Sequence, residues 1–394
     1  MTAITFISSL SACDTPDDYL RLDYIAAASE LLQLSAEITD AFVQATALLQ
    51  ADDRLSEIVS RCHRVLFHSQ DGLAKKEVMQ ELLALEQSEE DQWAAMLIPI
   101  VLLSGLPHTV QIYRERDIPM EVLTETLSDL ELRMRIYKNQ RGLWGANSIH
   151  WLIQHFTGEM FRLGRLQFQL KLFPYSIHAF RHRSTGEVAI FPDNDIPFRS
   201  DGCIDGTNGV YNCAWISKLM LTEQQITGHR ITSDGLGVPE TTVLQGKEWE
   251  HVLKPRDTAI VVHIPADGKM AHEQCRDSYS RAVHFFDTYF PEKPFSVIFC
   301  ATWLLSPQWQ KLLPSHTNIV QFRQDYHPFP ILSDDHQTFE RVFGTKPVDL
   351  ASAPRDTQLR RAILDYLLAG HAIHSGAGIL LKNAFLGTTA ADRM

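Results

Sequence analysis

The sequence predicts an α+β protein in two parts, an all-α helical domain over residues 1–142 followed by a mixed-sheet domain over residues 143–394. Three patterns lead there. Through the first third, apolar residues recur at a period near 3.6, as in helices with one buried face. After Gly164 the period drops to two, as in strands. Finally, Asp257 to Ser306 reads as strand, loop, helix and strand, a unit that brings two parallel strands side by side in one sheet.

Composition sets the outer bounds. A chain of 394 residues is long enough for two separate cores. A formal charge of −12, with no clustered stripe of Lys and Arg, argues against a nucleic-acid surface. Hydrophobic residues make up 45% and charged residues 21%, the balance of an ordinary globular chain. The six cysteines (Cys13, Cys62, Cys203, Cys213, Cys275 and Cys300) contain no C-x-x-C pair and read as reduced thiols. Leu10 to Cys13 imitates a lipoprotein cleavage site, but no basic segment precedes it and its apolar run is short and broken by serines. No stretch reads as the ~20 apolar residues that cross a bilayer. A cytoplasmic protein without a membrane partner is the expectation.

In the helical part, Pro16 to Gln33 is expected as one helix capped by Thr15, with Leu20, Tyr24, Ala27 and Leu31 on one face. Ser35 to Gln50, Leu55 to His68 and Lys76 to Glu86 follow. Trp93 to Leu103 is apolar nearly all round and reads as the central helix. Met120 to Lys138 carries the stripe Val122, Leu123, Leu127, Leu130, Met134 and Tyr137. Cys62, His63 and His68 could be taken for metal ligands, but Cys62 and His63 leave a helix on different sides and nothing nearby in sequence completes a tetrahedral set. No metal is expected.

Trp144 to Leu163 continues the helical period. Leu166, Phe168, Leu170 and Leu172 then alternate with polar residues, as on a half-buried strand. Ile177 to Arg183 and Glu187 to Phe191 flank the Ser184-Thr185-Gly186 turn as a hairpin. Pro192 to Gly209 is rich in aspartate but lacks EF-hand spacing, and reads as a solvated loop. Ile226 to Ile231 and Thr241 to Leu244 are short strands. Near the C-terminus, Thr357 to Ala369 is a helix, and Gly376-Ala377-Gly378 is read as a sharp turn into a last strand, Ile379 to Lys382.

At the centre, Ala259 to Ile264 is a buried strand that Pro265 ends, Ala271 to Phe290 is a helix, and Phe295 to Ala301 is a second buried strand. The loop Pro265 to Ala271 therefore meets a helix N-terminus, where units of this type receive anionic or phosphorylated ligands.

The stretches FTGEMFRLGRLQFQL (156–170), DGTNGVYNCAW (205–215), WEHVLKPRDTAIVVHIPADGKM (249–270), VIFCATWLLSP (297–307) and DTQLRRAILDYLLAGHAIHSGAGILL (356–381) resemble the bacterial proteins described as acyltransferase domain-containing. These join a helical N-acyltransferase N-terminal domain to a GNAT-like C-terminal domain. The resemblance implies that the strands at 259–264 and 295–301 part to admit the pantetheine arm of an acyl-CoA donor. The loop before the helix then cradles its pyrophosphate. Where the family type reads Arg/Gln-x-x-Gly-x-Gly/Ala, this chain has Ala266-Asp267-Gly268-Lys269-Met270-Ala271-His272, so Gly268, Lys269, Met270, Ala271 and His272 are the candidate donor-binding residues.

His263 to Gly268 also reads H-x-x-x-D-G, the form seen in the chloramphenicol acetyltransferase and condensation-domain superfamily, where the histidine is the general base and the aspartate is structural. A histidine closing a buried strand suits that role, and His263 and Asp267 are the catalytic candidates. Cys300 and Trp303, on and just after the next strand, are candidate substrate contacts, with core packing as the alternative for both. Arg162 and Arg165 are candidates to bind an acidic group or to pair with surface carboxylates. His371, His374 and Ser375 make no nucleophile elbow. The function these residues imply is acyl transfer from an acyl-CoA thioester to the amine or hydroxyl of a small acceptor. The alternative is a catalytically silent module of the same fold that binds a metabolite or a protein.

Overall fold

The computed structural model describes residues 2–9, 16–88 and 92–386. It divides into two compact units, Met1–Leu163 with Pro265–Asp267, and Gly164–Ile264 with Gly268–Met394. The break falls at Leu163 rather than after Gly142 because the helix Ile149–Phe156 still buries Ile149, Leu152 and Phe156 in the first unit.

The first unit is helical. Its elements are α1 (Ala3–Ser9), α2 (Pro16–Tyr19), α3 (Leu22–Leu32), α4 (Ala36–Gln50), α5 (Asp53–His63), α6 (Gly72–Ser88), α7 (Gln92–Ser104), α8 (Leu106–Glu115), α9 (Met120–Arg141) and α10 (Ile149–Phe156), closed by a short strand β1 (Phe161–Leu163). The expected single helix over 16–33 is broken between Tyr19 and Leu22, and its expected cap, Thr15, lies outside the described residues. α5 is capped by the Asp52 carboxylate, which accepts from the Arg54 N–H, and runs on as a π-helical turn, Arg64–His68. There His63 is buried between the Tyr19 hydroxyl (2.8 Å) and Ser104 Oγ (3.0 Å), and burial pushes its imidazole down to about 3.

α7 is the central helix, with Ala94 to Leu103 buried, including Pro99 inside the helix. The sequence reading missed α8. Gly105-Leu106-Pro107 looks like a break, yet proline belongs in the first helical turn. Gly105 is there because a Cβ would lie 2.0 Å from the Phe67 ring. Together α7 and α8 supply a helical stretch, Trp93–Glu115, that by length and composition could cross a membrane, contrary to the sequence reading, but 83% of its apolar window is buried inside the unit. The helical period read over 144–163 holds only for α10. Gly158, at φ 66°, turns the chain toward β1.

The second unit is built on two sheets. One runs β2 (Leu166–Leu172), β11 (Thr258–His263), β12 (Val297–Thr302), β14 (Gly376–Leu381), β13 (His327–Phe329). The other runs β10 (Trp249–Leu253), β3 (Ile177–His182), β4 (Val188–Pro192), β8 (Gln225–Ile231), β7 (Leu219–Leu221), with β9 (Gly237–Gln245) also on β8. A two-strand ribbon pairs β5 (Pro197–Phe198) with β6 (Trp215–Ile216). Hence β2 and the β3–β4 hairpin lie in different sheets. β2 is not half-buried either, since Gln167 and Gln169 are as buried as Leu166 and Phe168. The expected solvated loop over 192–209 is pinned. Phe198 stacks on Trp215 at 4.3 Å, and the Arg199 guanidinium joins the Asp201 carboxylate to the Thr207 carbonyl.

β11 and β12 run parallel, joined by α11 (His272–Tyr289), which buries Cys275, Tyr279, Ala282, Val283 and Phe286. The remaining helices are α12 (Trp309–Leu312), α13 (Asn318–Gln324), α14 (His336–Phe343) and α15 (Gln358–Leu368), the last capped by the Thr357 hydroxyl. Gly376 to Gly378 form the start of β14, not a turn before it. A Cβ on Gly376 would lie 2.3 Å from the Leu305 carbonyl oxygen, so that glycine allows a close backbone approach. Gly376→Ala should therefore destabilise this unit by about 1–3 kcal/mol, through displacement of a backbone that cannot move freely, as read from the midpoint of chemical denaturation.

Candidate active site

The central strands part. The β11–β12 ladder holds only Ile260 to Ile298 and Val261 to Phe299, yet β11 stays paired to β2 through His263, opposite Gln167, and β12 to β14 through Thr302, opposite Gly376. Beyond Phe299 each strand thus follows its outer neighbour, which opens a notch between them. At its root the Cys300 thiol donates to the Val262 carbonyl at 3.7 Å.

Alternation along β11 directs Ile260 and Val262 to the α11 side, and Ala259, Val261 and His263 to the other. That second face carries an aromatic cluster. Phe173 meets Phe299 and Phe329 edge to face, and Tyr175 lies 5.3 Å from Phe329. Burial pushes the Tyr175 hydroxyl up to about 12, so it stays protonated.

Of the expected donor-binding residues, Gly268 and Lys269 are exposed, and Gly268 sits at φ 72°, where a side chain would be strained. Ala271 stands at the N-cap of α11 and provides no side-chain cap, so the first N–H groups of an 18-residue helix have no partner from that position. The imidazole of His272 bonds the Asp325 carboxylate at 2.9 Å, which Arg276 also holds at 2.9 Å. His272 is left to contribute through its backbone.

The two arginines beside Gly164 divide the roles read for them. In the first unit, Arg162 Nη2 pairs with Asp267 Oδ2 at 2.8 Å, so the one acidic group in the loop is compensated. In the second, Arg165 donates to main-chain carbonyls, Nε to Lys269 at 3.0 Å and Nη2 to Gly268 at 3.2 Å. Its own N–H donates to Ser278 Oγ on α11 at 2.8 Å.

Cys300 is 1% exposed and packed in the core, and burial pushes its thiol far above the ordinary range. Trp303 is half-buried in a 3-10 turn. Its N–H donates to Gln337 Oε1 at 2.6 Å, its carbonyl accepts from Trp309 Nε1 at 2.6 Å, and its ring packs edge-on against Trp309. His374 lies 3.8 Å from Cys203 Sγ and 3.3 Å from the Gln308 amide, and the Ser375 hydroxyl donates to Gln337 Oε1 at 3.5 Å. Sequence reasoning missed Asp325 and Gln337. Neither stands in a motif, and each acts through a fold contact to a residue more than thirty positions away.

A mixed sheet whose central parallel strands part next to a helix N-terminus, in a chain that also has a helical unit, is the acyltransferase fold of GNAT type. The chain belongs to the family defined by the GNAT-like C-terminal domain, whose model matches residues 160–380, and residues 23–158 match the N-acyltransferase N-terminal domain. Among solved structures, the chain is similar to an acyltransferase in complex with decanoyl-CoA and teicoplanin, at 20% identity and a TM-score of 0.57. It is also similar to an acyltransferase mutant in complex with octanoyl-CoA, at 19% identity and a TM-score of 0.56. Both alignments cover 90% of this chain and 86% of the other, and show likeness of fold. No curated protein matches the chain.

Burial orders the thiols. Cys213 is exposed, whereas Cys62, Cys203, Cys275 and Cys300 are buried. In the native protein iodoacetamide should modify Cys213 well before those four, by peptide mass spectrometry. Early modification of Cys300 would show that the notch reaches the thiol.

Proposed function

We propose that this protein transfers an acyl group from an acyl-CoA thioester to the amine or hydroxyl of a small acceptor. The observation that carries the reading is the parting of β11 from β12 beside the uncapped start of α11, in a chain whose two parts both match acyltransferase families. Relatives of the same fold described with octanoyl-CoA and decanoyl-CoA support a donor of this class. The one described with teicoplanin supports a small-molecule acceptor.

In this reading the pantetheine arm enters the notch and its pyrophosphate meets the N–H groups from Gly268 to His272. His263, the last residue of β11, takes the proton from the acceptor as its nitrogen or oxygen attacks the thioester carbonyl. Backbone N–H groups of β11 past its last pairing with β12 stabilise the oxyanion. The carbon–sulfur bond then breaks, and coenzyme A leaves as a thiolate that takes up a proton. Asp267, held by Arg162, keeps the loop in place without taking part.

Two measurements test this. Octanoyl-CoA, acetyl-CoA and free coenzyme A should raise the melting temperature through binding to the folded state alone. An unchanged melting temperature at millimolar ligand would leave a silent member of the fold. Once an acceptor is found, His263→Ala should lower kcat by roughly 10²–10⁴-fold while the KM for acyl-CoA stays the same. A kcat near wild type would remove His263 from the chemistry.

A further inference from the structure

We propose that Arg165 is the positioning residue of the donor-phosphate cradle, setting the direction of backbone N–H groups that a glycine-rich loop would orient by itself. The inference rests on the donor-binding reading above.

A phosphate-binding loop needs successive N–H groups turned to one side. Glycines permit this because they accept backbone angles that other residues resist. Here only Gly268, at φ 72°, has that freedom, and Lys269-Met270-Ala271 follow it. Arg165 provides what the sequence lacks. Its guanidinium takes the carbonyls of Gly268 and Lys269, two consecutive peptide groups, with two of its nitrogens. A trans peptide holds its C=O and N–H antiparallel, so turning these two carbonyls toward Arg165 turns the N–H groups of Lys269 and Met270 away from it. Among the described residues neither N–H is spent on a backbone carbonyl. Gly268 and Lys269 are exposed and Met270 is half-buried, so the two N–H groups lie in a segment that solvent reaches, immediately before the N-terminus of α11.

Arg165 is itself fixed to that helix. Its N–H bonds Ser278 Oγ, which in turn bonds the Gln274 carbonyl, and the preceding Gly164 is held at φ 76°, where a Cβ would lie 3.0 Å from Ser278 Oγ. Helix, turn and loop form a closed clamp, with one side chain setting the loop against the helix. Lysine cannot replace this fork, because a single ammonium on a flexible stem lacks two donors in fixed geometry.

The test compares two donors. Octanoyl-CoA carries the pyrophosphate, and octanoyl-pantetheine has the same thioester and arm without it. For Arg165→Met the dissociation constant of octanoyl-CoA should rise roughly tenfold, the order expected when charge-assisted positioning is lost. That of octanoyl-pantetheine should stay within about twofold, and Arg165→Lys should fall between. Calorimetric titration reads the affinities, and a melting curve checks that each variant is folded. Equal loss for both donors, or no loss for either, overturns the role of Arg165 while leaving the donor site. Should the wild-type protein bind neither donor, the proposed function itself falls, and the clamp with it. If Arg165→Met does not fold, Arg165→Lys alone decides, by whether its loss is confined to octanoyl-CoA.

Discussion

Two residue pairs hold β11 to β12, and the point where that pairing stops determines what the second unit can do. A sheet usually resists such a parting, because each N–H and C=O left unpaired in a buried place is costly. Here the loss is contained. The outer ladders, β2 on β11 and β14 on β12, continue without interruption, and the Cys300 thiol takes the Val262 carbonyl. The strands are therefore held apart by their neighbours rather than left loose. α11, packed beneath them through Tyr279, Val283 and Phe286, brings its first turn to the same end.

The irregular segments of this unit are tied down in one recurring way. Arginine side chains donate to main-chain carbonyls in loops and at helix ends: Arg165 to Gly268 and Lys269, Arg199 to Thr207, Arg323 to Asp234, and Arg360 twice to Val342. A guanidinium has five donors in a rigid plane and keeps its charge even when burial lowers its pKa, as for Arg323. One such residue can satisfy a carboxylate and a carbonyl together, as Arg199 does with Asp201 and Thr207. These contacts tie irregular segments to side chains that come from elsewhere in the unit or from the far end of the same loop.

Where the structure departs from the sequence reading, the cause is tertiary packing. Gln167 and Gln169 have the spacing of a solvent face, yet they are buried, because alternation reports side-chain direction and not what lies on either side. Gly376 and Gly378 look like turn residues and prove to be points of close approach within a strand. The loop at 192–209 looks solvated because it is rich in aspartate, but Asp201 is paired to Arg199, and Cys203 and Thr207 are buried with it. The sequence reading had no element between Leu103 and Met120, where α8 starts with Pro107 in its first turn.

By itself the sequence determined the order of the main elements: the helical first part, the strand–helix–strand at 257–306, and the placement of His263 and the loop Asp267 to His272 at the strand end. These follow from local periodicity and from proline and glycine, which act over a few residues. Only the tertiary structure decided where β11 leaves β12, that Cys300 is core, that Asp325 takes the His272 side chain, and that Arg162 and Arg165 serve the loop in different ways. Each of these depends on residues from 38 to 105 positions apart being brought within a few ångströms, and no local pattern records that proximity.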